Sequence, residues 1–469
     1  MKRILILSAA SLLVFASCRK IQVDGIDNNT GGGTTITSES AILSGAIGSD
    51  LTLRSGKTYT LRGIVYVVNG AQLTIEPGVT ILGDKNSRGT LVITRGSRIN
   101  ATGTASQPIV FTSSEGSGSR PGDWGGLVIL GRARTNAAYN GTAGLGEAEG
   151  GINNGDGYGL YGGTDDNDNS GTLKYVRIEY AGYAFLPDKE LNGLSLYAVG
   201  RGTTISYVEV AWAADDSFEW FGGTVNADHI IAYKGLDDDF DTDNGFSGKV
   251  QFAIGIRDSA VADISGSNGF ESDNDAAGST LTPQTSAIFA NVTSVGPKAV
   301  LNTIGNTYYR NAAQIRRNSS LSVINSVLMG WNTGLLIDAS TGRPTDLNIT
   351  GTTPTLWWRG NIISGTIAAN QVKYSASTNA ATGWTTADAL AWHNTTSFNN
   401  LLLATNNEVG YADAFNYNNP DFTVSTTSPL LTNSYAATDA RFNGMTAVNY
   451  RGAVGPNDTW YKGWTRFGN

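Results

Sequence analysis

One cysteine, Cys18, occurs in 469 residues, so no disulfide can form within the chain. Histidine is almost as scarce: only His229 and His393 are present, and His229, beside the apolar Ile230-Ile231, reads as structural. Beyond the first twenty residues no run approaches 18 unbroken apolar residues, so the sequence predicts no spanning helix there. Lysine and glutamate are sparse, and no segment shows a convincing amphipathic helical period. Basic groups are fewest where acids are densest. Residues 215–275 carry 14 acidic side chains against Lys234, Lys249 and Arg257. The formal charge of the whole chain is −8, so the remainder is close to neutral. One concentrated acidic field points to a cation or a cationic partner. It argues against nucleic acid, whose phosphates it would repel.

What is present begins with an address. Residues 1–17 read as a lipoprotein signal peptide, with Lys2 and Arg3 ahead of an apolar run over 4–16 that is too short to be retained as a span. Phe15-Ala16-Ser17-Cys18 resembles a bacterial lipobox, with Phe where Leu is usual. Cys18 is therefore expected to carry the lipid, each buried methylene contributing about 0.8 kcal/mol of anchoring. Residues 18–40, including Gly31-Gly32-Gly33-Thr34-Thr35, read as a flexible tether. The charged stretch from Arg19-Lys20 to Asp24 resembles signals that direct some Bacteroidetes lipoproteins to the cell surface. Residues 41–469 are expected to form one domain.

That domain is built from short β-branched runs separated by Gly, Asn and Asp, such as Leu73-Thr74-Ile75, Leu91-Val92-Ile93 and Leu127-Val128-Ile129-Leu130. Each is one strand long. Their irregular spacing predicts a solenoid that grows by adding coils with loops of varying length. A β-sandwich or propeller is disfavoured, because regular Asn-Gly hairpins and a blade repeat of about 40 residues are both missing. Phe218-Glu219, Phe240-Asp241 and Phe270-Glu271 repeat one step along the chain. Aligning Leu194-Ser195-Leu196 with Phe218-Glu219-Trp220 and Phe240-Asp241-Thr242 puts Leu194, Phe218 and Phe240 inside and Ser195, Glu219 and Asp241 outside. Trp220 then points inward and Phe221 outward. Strands about 4.8 Å apart would bring the aligned outward acids face to face.

The densest candidate is Asp237-Asp238-Asp239-Phe240-Asp241-Thr242-Asp243-Asn244. It is not an EF-hand, because Asn244 stands where that loop needs Gly and Val250 where it needs Glu. The metal reading places a hard cation, Ca²⁺ as the candidate cofactor, on Asp239, Asp241 and Asp243, with Glu219, Glu271 and Asp273 from flanking coils. The competing reading is a solvated acidic face of turn-forming residues. Asp215-Asp216 could serve as an acid–base pair, and Lys234 as a base if desolvated. Trp212, Trp220, Phe221, Tyr233, Tyr308, Tyr309, Trp331, Trp357 and Trp358 either offer platforms for sugar rings or fill the solenoid. Trp460, Tyr461, Trp464 and Phe467 are expected to cover the last coil.

Leu73-Thr74-Ile75-Glu76-Pro77-Gly78 and Asp123-Trp124-Gly125-Gly126-Leu127-Val128-Ile129-Leu130-Gly131 resemble secreted right-handed parallel β-helix proteins of the pectin-lyase-like superfamily. Asp215-Asp216-Ser217-Phe218-Glu219-Trp220-Phe221-Gly222-Gly223 and Tyr450-Arg451-Gly452-Ala453-Val454-Gly455 are similar to blocks in its outer-membrane-associated members. The resemblance implies an all-β, single-stranded right-handed parallel β-helix and leaves activity open. Its hydrolases pair clustered carboxylates with a Gly-His-Gly, which this chain lacks. Its lyases combine Ca²⁺ with a Lys or Arg base; Lys234 is a candidate base and Arg316-Arg317 either a partner for sugar carboxylates or a solvent-exposed pair, but no Arg-x-Pro-x-x-Arg occurs. The expectation is an outer-membrane, surface-displayed lipoprotein that binds a ligand without catalysis. A polysaccharide is a candidate ligand, and a TonB-dependent receptor a candidate partner. The alternative is a Ca²⁺-dependent polysaccharide lyase.

Overall fold

The structure is a computed structural model that describes residues 34–35, 40–186, 189–301, 306–377, 382–436 and 438–468. The leader and Cys18 lie outside the described residues. Regular structure begins within the stretch read as tether, where Thr34–Thr35 pairs in parallel with Leu51–Leu53.

The strands stack in parallel, coil upon coil, into the predicted right-handed β-helix. Many coils carry one long strand that bends once, as in Gly171–Glu179, Thr204–Ala211, Asn226–Tyr233, Lys249–Ile256 and Ile288–Val295. The bend falls on Tyr175, Tyr207, His229, Phe252, Asn291 and then Asn325, all at φ between 50° and 60°. This left-handed region is uncommon outside Gly and Asn. Stacking supports it where the residue is aromatic: Tyr175–Tyr207 and Tyr207–His229 centroids lie 4.5 Å apart and His229–Phe252 5.0 Å. His229 is thus a rung of an outer aromatic column, with Nδ1 2.6 Å from Asp228.

A third ribbon of shorter strands completes each coil. It runs through Thr90–Ile93, Gly126–Leu130, Leu194–Val199, Phe218–Gly223, Phe240–Asp243, Phe270–Ser272 and Asn311–Ile315. Its register is the one the sequence alignment predicts: Leu194 pairs with Phe218, Phe218 with Phe240, and Phe240 with Phe270. These side chains fill the lumen, with Phe218–Phe240 and Phe240–Phe270 centroids 5.9 and 5.4 Å apart. Trp220 points into the same core. Phe221 points outward and stacks on Tyr197 at 4.2 Å.

The outward face of this ribbon is covered. The excursion 131–170 folds back over it, packing Ala148, Ile152 and Tyr161 against Tyr197 and Phe221. Asn136 Nδ2 donates to Asn274 O at 2.8 Å, so the cover reaches several coils along.

The C-terminal aromatics do not cap the last coil as expected. Trp460 and Trp464 pack edge-on against Tyr207, and Trp464 also against Tyr175, far back along the solenoid. The exposed side of the aromatic column offers them an apolar bed, and Arg466 anchors the segment by donating to Glu179 at 2.7 Å. The helix Thr386–His393, opened by a Thr385–Asp388 capping box, instead brings Leu390 and Trp392 against the core near its end.

Candidate functional site

At the entry to successive strands of the third ribbon one residue stacks on its equivalents: Asn192, Asp216, Asp238 and Asn268 just before their strands, and Asn311 at the start of its own. The rungs are tied by side chain to backbone. Asp238 N–H donates to Asp216 Oδ1 at 2.7 Å, Asn268 N–H donates to Asp238 Oδ1, and Asn311 N–H donates to Asn268 Oδ1 at 3.1 Å. Where the rung is asparagine, its amide also reaches the outward side chains. Asn268 Nδ2 donates to Glu271 at 3.2 Å, Asn311 Nδ2 to Gln314 at 3.0 Å, and Asn192 Nδ2 to Glu219.

The rungs at 216 and 238 are aspartates, which cannot donate when ionised. Asp216 therefore meets Glu219 and Asp241 acid to acid, and Asp238 meets Asp241 and Glu271. In each trio one oxygen per residue lies within 4.8 Å of the others, and Asp215, Asp216 and Asp237 make a third such trio. At that separation two ionised carboxylates repel by roughly 3.5 kcal/mol at an effective dielectric of about 20. Asp216, Asp238 and Glu219 are buried, and Asp241 Oδ1 is a buried oxygen with no hydrogen-bond partner among the described residues.

Burial raises the pKa of every member of these trios, and neighbouring acids add to it. For Asp241 the neighbours are Glu271, Asp238, Asp273 and Asp243; for Glu219, chiefly Asp241 and Glu149. Burial also pushes Asp237 up to about 8, helped by Asp238, and Glu271 to about 8 despite the opposing Arg316. At neutral pH the cluster holds protons or invites a cation. Its all-oxygen donors suit a hard divalent ion.

Several expected site residues sit elsewhere. Asp239 is not on the outward face: it forms a fully buried ion pair with Arg257 at 2.7 Å, and Gly255 leaves the room its carboxylate occupies. The strand starts only at Phe240, so period-two alternation extended back to Asp239 assigns the wrong side; Asp238, in the turn, joins the cluster instead. Asp273 is taken by Arg316 at 2.8 Å and Arg317 at 2.6 Å, and Arg316 also pairs with Glu271. These arginines are therefore not an idle solvated pair. Asp243 faces outward near Asp273, outside the trios. Asp215 and Asp216 do converge, on Asp237. Lys234 does not join them: its ammonium lies 2.7 Å from Asn418 Oδ1 and 3.8 Å from Asp258.

Most of the candidate aromatics are structural. Trp220, Trp331, Trp358 and Tyr309 belong to the lumen, and Trp212 stacks on Tyr180 under Arg466. Of those named from the sequence, Tyr308 is exposed and Trp357 half-buried. Sequence reasoning missed Asp238 and the asparagine rungs, although the repeat of Asp215-Asp216-Ser217-Phe218-Glu219 in Asp237-Asp238-Asp239-Phe240-Asp241 marks the first and Ser267-Asn268-Gly269-Phe270-Glu271 extends it to asparagine.

A comparison with curated proteins finds no match. Residues 45–465 match the family described as pectate-lyase like beta helix domain. With parallel coils throughout and nearly the whole described chain inside that match, the protein belongs to the pectate-lyase-like β-helix family.

Proposed function

We propose that this chain is a carbohydrate-active envelope protein whose acid ladder holds a divalent cation and, through it, an acidic polysaccharide. One observation carries the reading: buried carboxylates meet in overlapping trios within 4.8 Å, with Asp241 Oδ1 left without a partner. Asp216, Glu219, Asp238 and Asp241 would hold the ion, and Glu271 would have to release Arg316 to join them; Asp239 and Asp273 are already paired. A bound divalent ion supplies charge compensation and an open coordination position that a uronate carboxylate can take. Ca²⁺ is the first ion to test. Export, acylation of Cys18, display on the outer membrane and service to a TonB-dependent receptor complete the proposal, resting on the leader and lipobox-like sequence and on the company such lipoproteins keep.

The family favours a second reading, a cation-dependent lyase on the same ladder. Lys234 is badly placed as its base. Arg316 reaches the ladder, but although burial would lower its pKa, Glu271 and Asp273 raise it and keep the guanidinium charged. We therefore rank binding ahead of elimination.

The test is equilibrium binding of the purified chain to polygalacturonate with Ca²⁺, with Mg²⁺ and with chelator, while absorbance reports any unsaturated product. Binding that needs a divalent ion and is lost in Asp241→Asn supports the proposal. Binding indifferent to chelator overturns it, and turnover lost in the same variant promotes the lyase. Incorporation of a palmitate analogue in wild type and not in Cys18→Ser tests the anchor.

A further inference from the structure

Away from the acid ladder, the C-terminal segment crosses the outer face of a different ribbon and leaves a cavity of about 550 Å³ beneath it. Three successive rungs line it from the solenoid side: Gln251, Ala290 and Ile324, paired in register from the strands Lys249–Ile256, Ile288–Val295 and Ser322–Ile324. The opposite wall includes Tyr435, Phe442 and Tyr450.

The span is pinned at both sides. Asn325 exchanges two hydrogen bonds with the Tyr435 backbone, Nδ2 donating at 3.0 Å and Oδ1 accepting at 2.6 Å. Gln251 does the same with Thr446, both at 2.8 Å, and Asn291 Nδ2 donates to Tyr450 O at 2.9 Å. Trp357 fixes two wall rings, with Phe442 at 5.9 Å and Tyr435 at 6.4 Å between centroids. A cavity whose walls are held by their own bonds is pre-formed, so little ordering remains for a ligand to drive.

Among the described residues no Asp, Glu, Lys or Arg lines this space, although a strongly acidic site lies elsewhere on the solenoid. A neutral lining selects against ions, since burying an unpaired charge is costly. The volume falls within the range of about 300–1,000 Å³ typical of small-molecule sites. Aromatic rings and two tyrosines beside a floor that combines Ala290 and Ile324 with the Gln251 amide match a pyranose, which has apolar C–H faces and a hydroxyl edge.

We propose that this cavity is a second ligand site, for one or two neutral sugar units. It is independent of the cation ladder. A mixed glycan could then be held at two places, its uronates at the ladder and its neutral residues here.

The test is calorimetric titration of the purified chain, in chelator, with cellobiose, maltose and lactose, then with digalacturonate and with the apolar dye ANS. Saturable binding of at least one neutral disaccharide is expected, weakened about tenfold or more by Ala290→Trp, which fills the floor. Tyr435→Phe, which keeps the ring and removes its hydroxyl, should weaken binding several-fold even if the tryptophan variant does not fold. The Ca²⁺-induced melting shift should persist in Tyr435→Phe. No neutral sugar bound by about 10 mM, which would put any affinity weaker than roughly −3 kcal/mol, overturns the proposal. So does binding unchanged in both variants, or occupancy by digalacturonate or ANS alone.

Discussion

Replacing Asp238 with asparagine should stabilise the cation-free protein at alkaline pH and remove its response to divalent ions. Asn268, one coil on, shows the geometry the new amide would adopt: it keeps the ladder by accepting from the next rung and donates to the outward acid at 3.2 Å. A hydrogen bond to a charged acceptor contributes about 1.5–3 kcal/mol. Loss of one ionised contact at 4.8 Å relieves up to roughly 3.5 kcal/mol of repulsion, but wild type already escapes part of that by protonation. A net gain of about 2 kcal/mol is the working figure. At about 2.1 cal/mol/K of unfolding entropy per residue, the span 45–465 gives roughly 0.9 kcal/mol/K, so Tm should rise by about 2 °C. The pH dependence gives an internal control. Carboxyls whose pKa is raised on folding contribute stability below the unfolded value, near 4, and lose it as pH rises through the folded value. For Asp237 and Glu271 that folded value is about 8. The gap between variant and wild type should therefore open from pH 5 to pH 8. Scanning calorimetry in chelator at both pH values, repeated with Ca²⁺, reads both effects. A variant that melts below wild type in chelator at pH 8, or that keeps the wild-type Ca²⁺ shift, refutes the reasoning.

Cation affinity should rise steeply between pH 6 and pH 8 and binding should release protons, because the ion displaces them from acids such as Glu271, held at about 8 by burial; calorimetry in two buffers of different ionisation enthalpy measures the number released. Asp239→Ala should destabilise by about 3–5 kcal/mol, read by urea unfolding, because it strands Arg257 as an unpaired charge with no solvent exposure. Arg257→Met added to it should recover much of the loss. Arg466→Ala should speed amide exchange over 450–468 by removing the guanidinium from Glu179. That loosening should grow in alkaline solution: burial raises Glu209 to about 8 in wild type, and removing the Arg466 charge that helps to lower it moves its ionisation higher still.

Register was legible because it is local. Phe218-Glu219, Phe240-Asp241 and Phe270-Glu271 each carry one inward and one outward residue, and a parallel stack places like on like. Burial was not legible, because the cover comes from elsewhere in the chain: the excursion 131–170 packs on Tyr197 and Phe221 of this ribbon and brings the Glu149 charge to bear on Glu219. A solvated acidic face and a buried acid ladder share the same two-residue step. The partners of the misplaced acids were hidden for the same reason. Arg257 reaches Asp239 from the next long strand, and Arg316 reaches Asp273 across 43 residues, where alternation has no voice. The tail's path back to Glu179, 287 residues away, is more distant still.

The ladder itself contains the control that separates a site from ordinary solenoid construction. Asn268 shows how this chain satisfies a stacked rung when stability alone decides: its oxygen accepts from Asn311 N–H on the next coil and its amide nitrogen donates to Glu271, as the amides of Asn192 and Asn311 donate to Glu219 and Gln314. Aspartate at 216 and 238 keeps the first bond and forfeits the second. It forfeits it where the neighbours are also acids, so each substitution exchanges an attractive contact for a repulsive one. Asparagine has the same shape and would cure both positions. Departures from local consistency concentrate at functional sites, where a ligand supplies what the fold withholds. Here the missing element is positive charge at Asp216, Asp238 and Asp241, which is why a cation explains these rungs better than a solvated turn does.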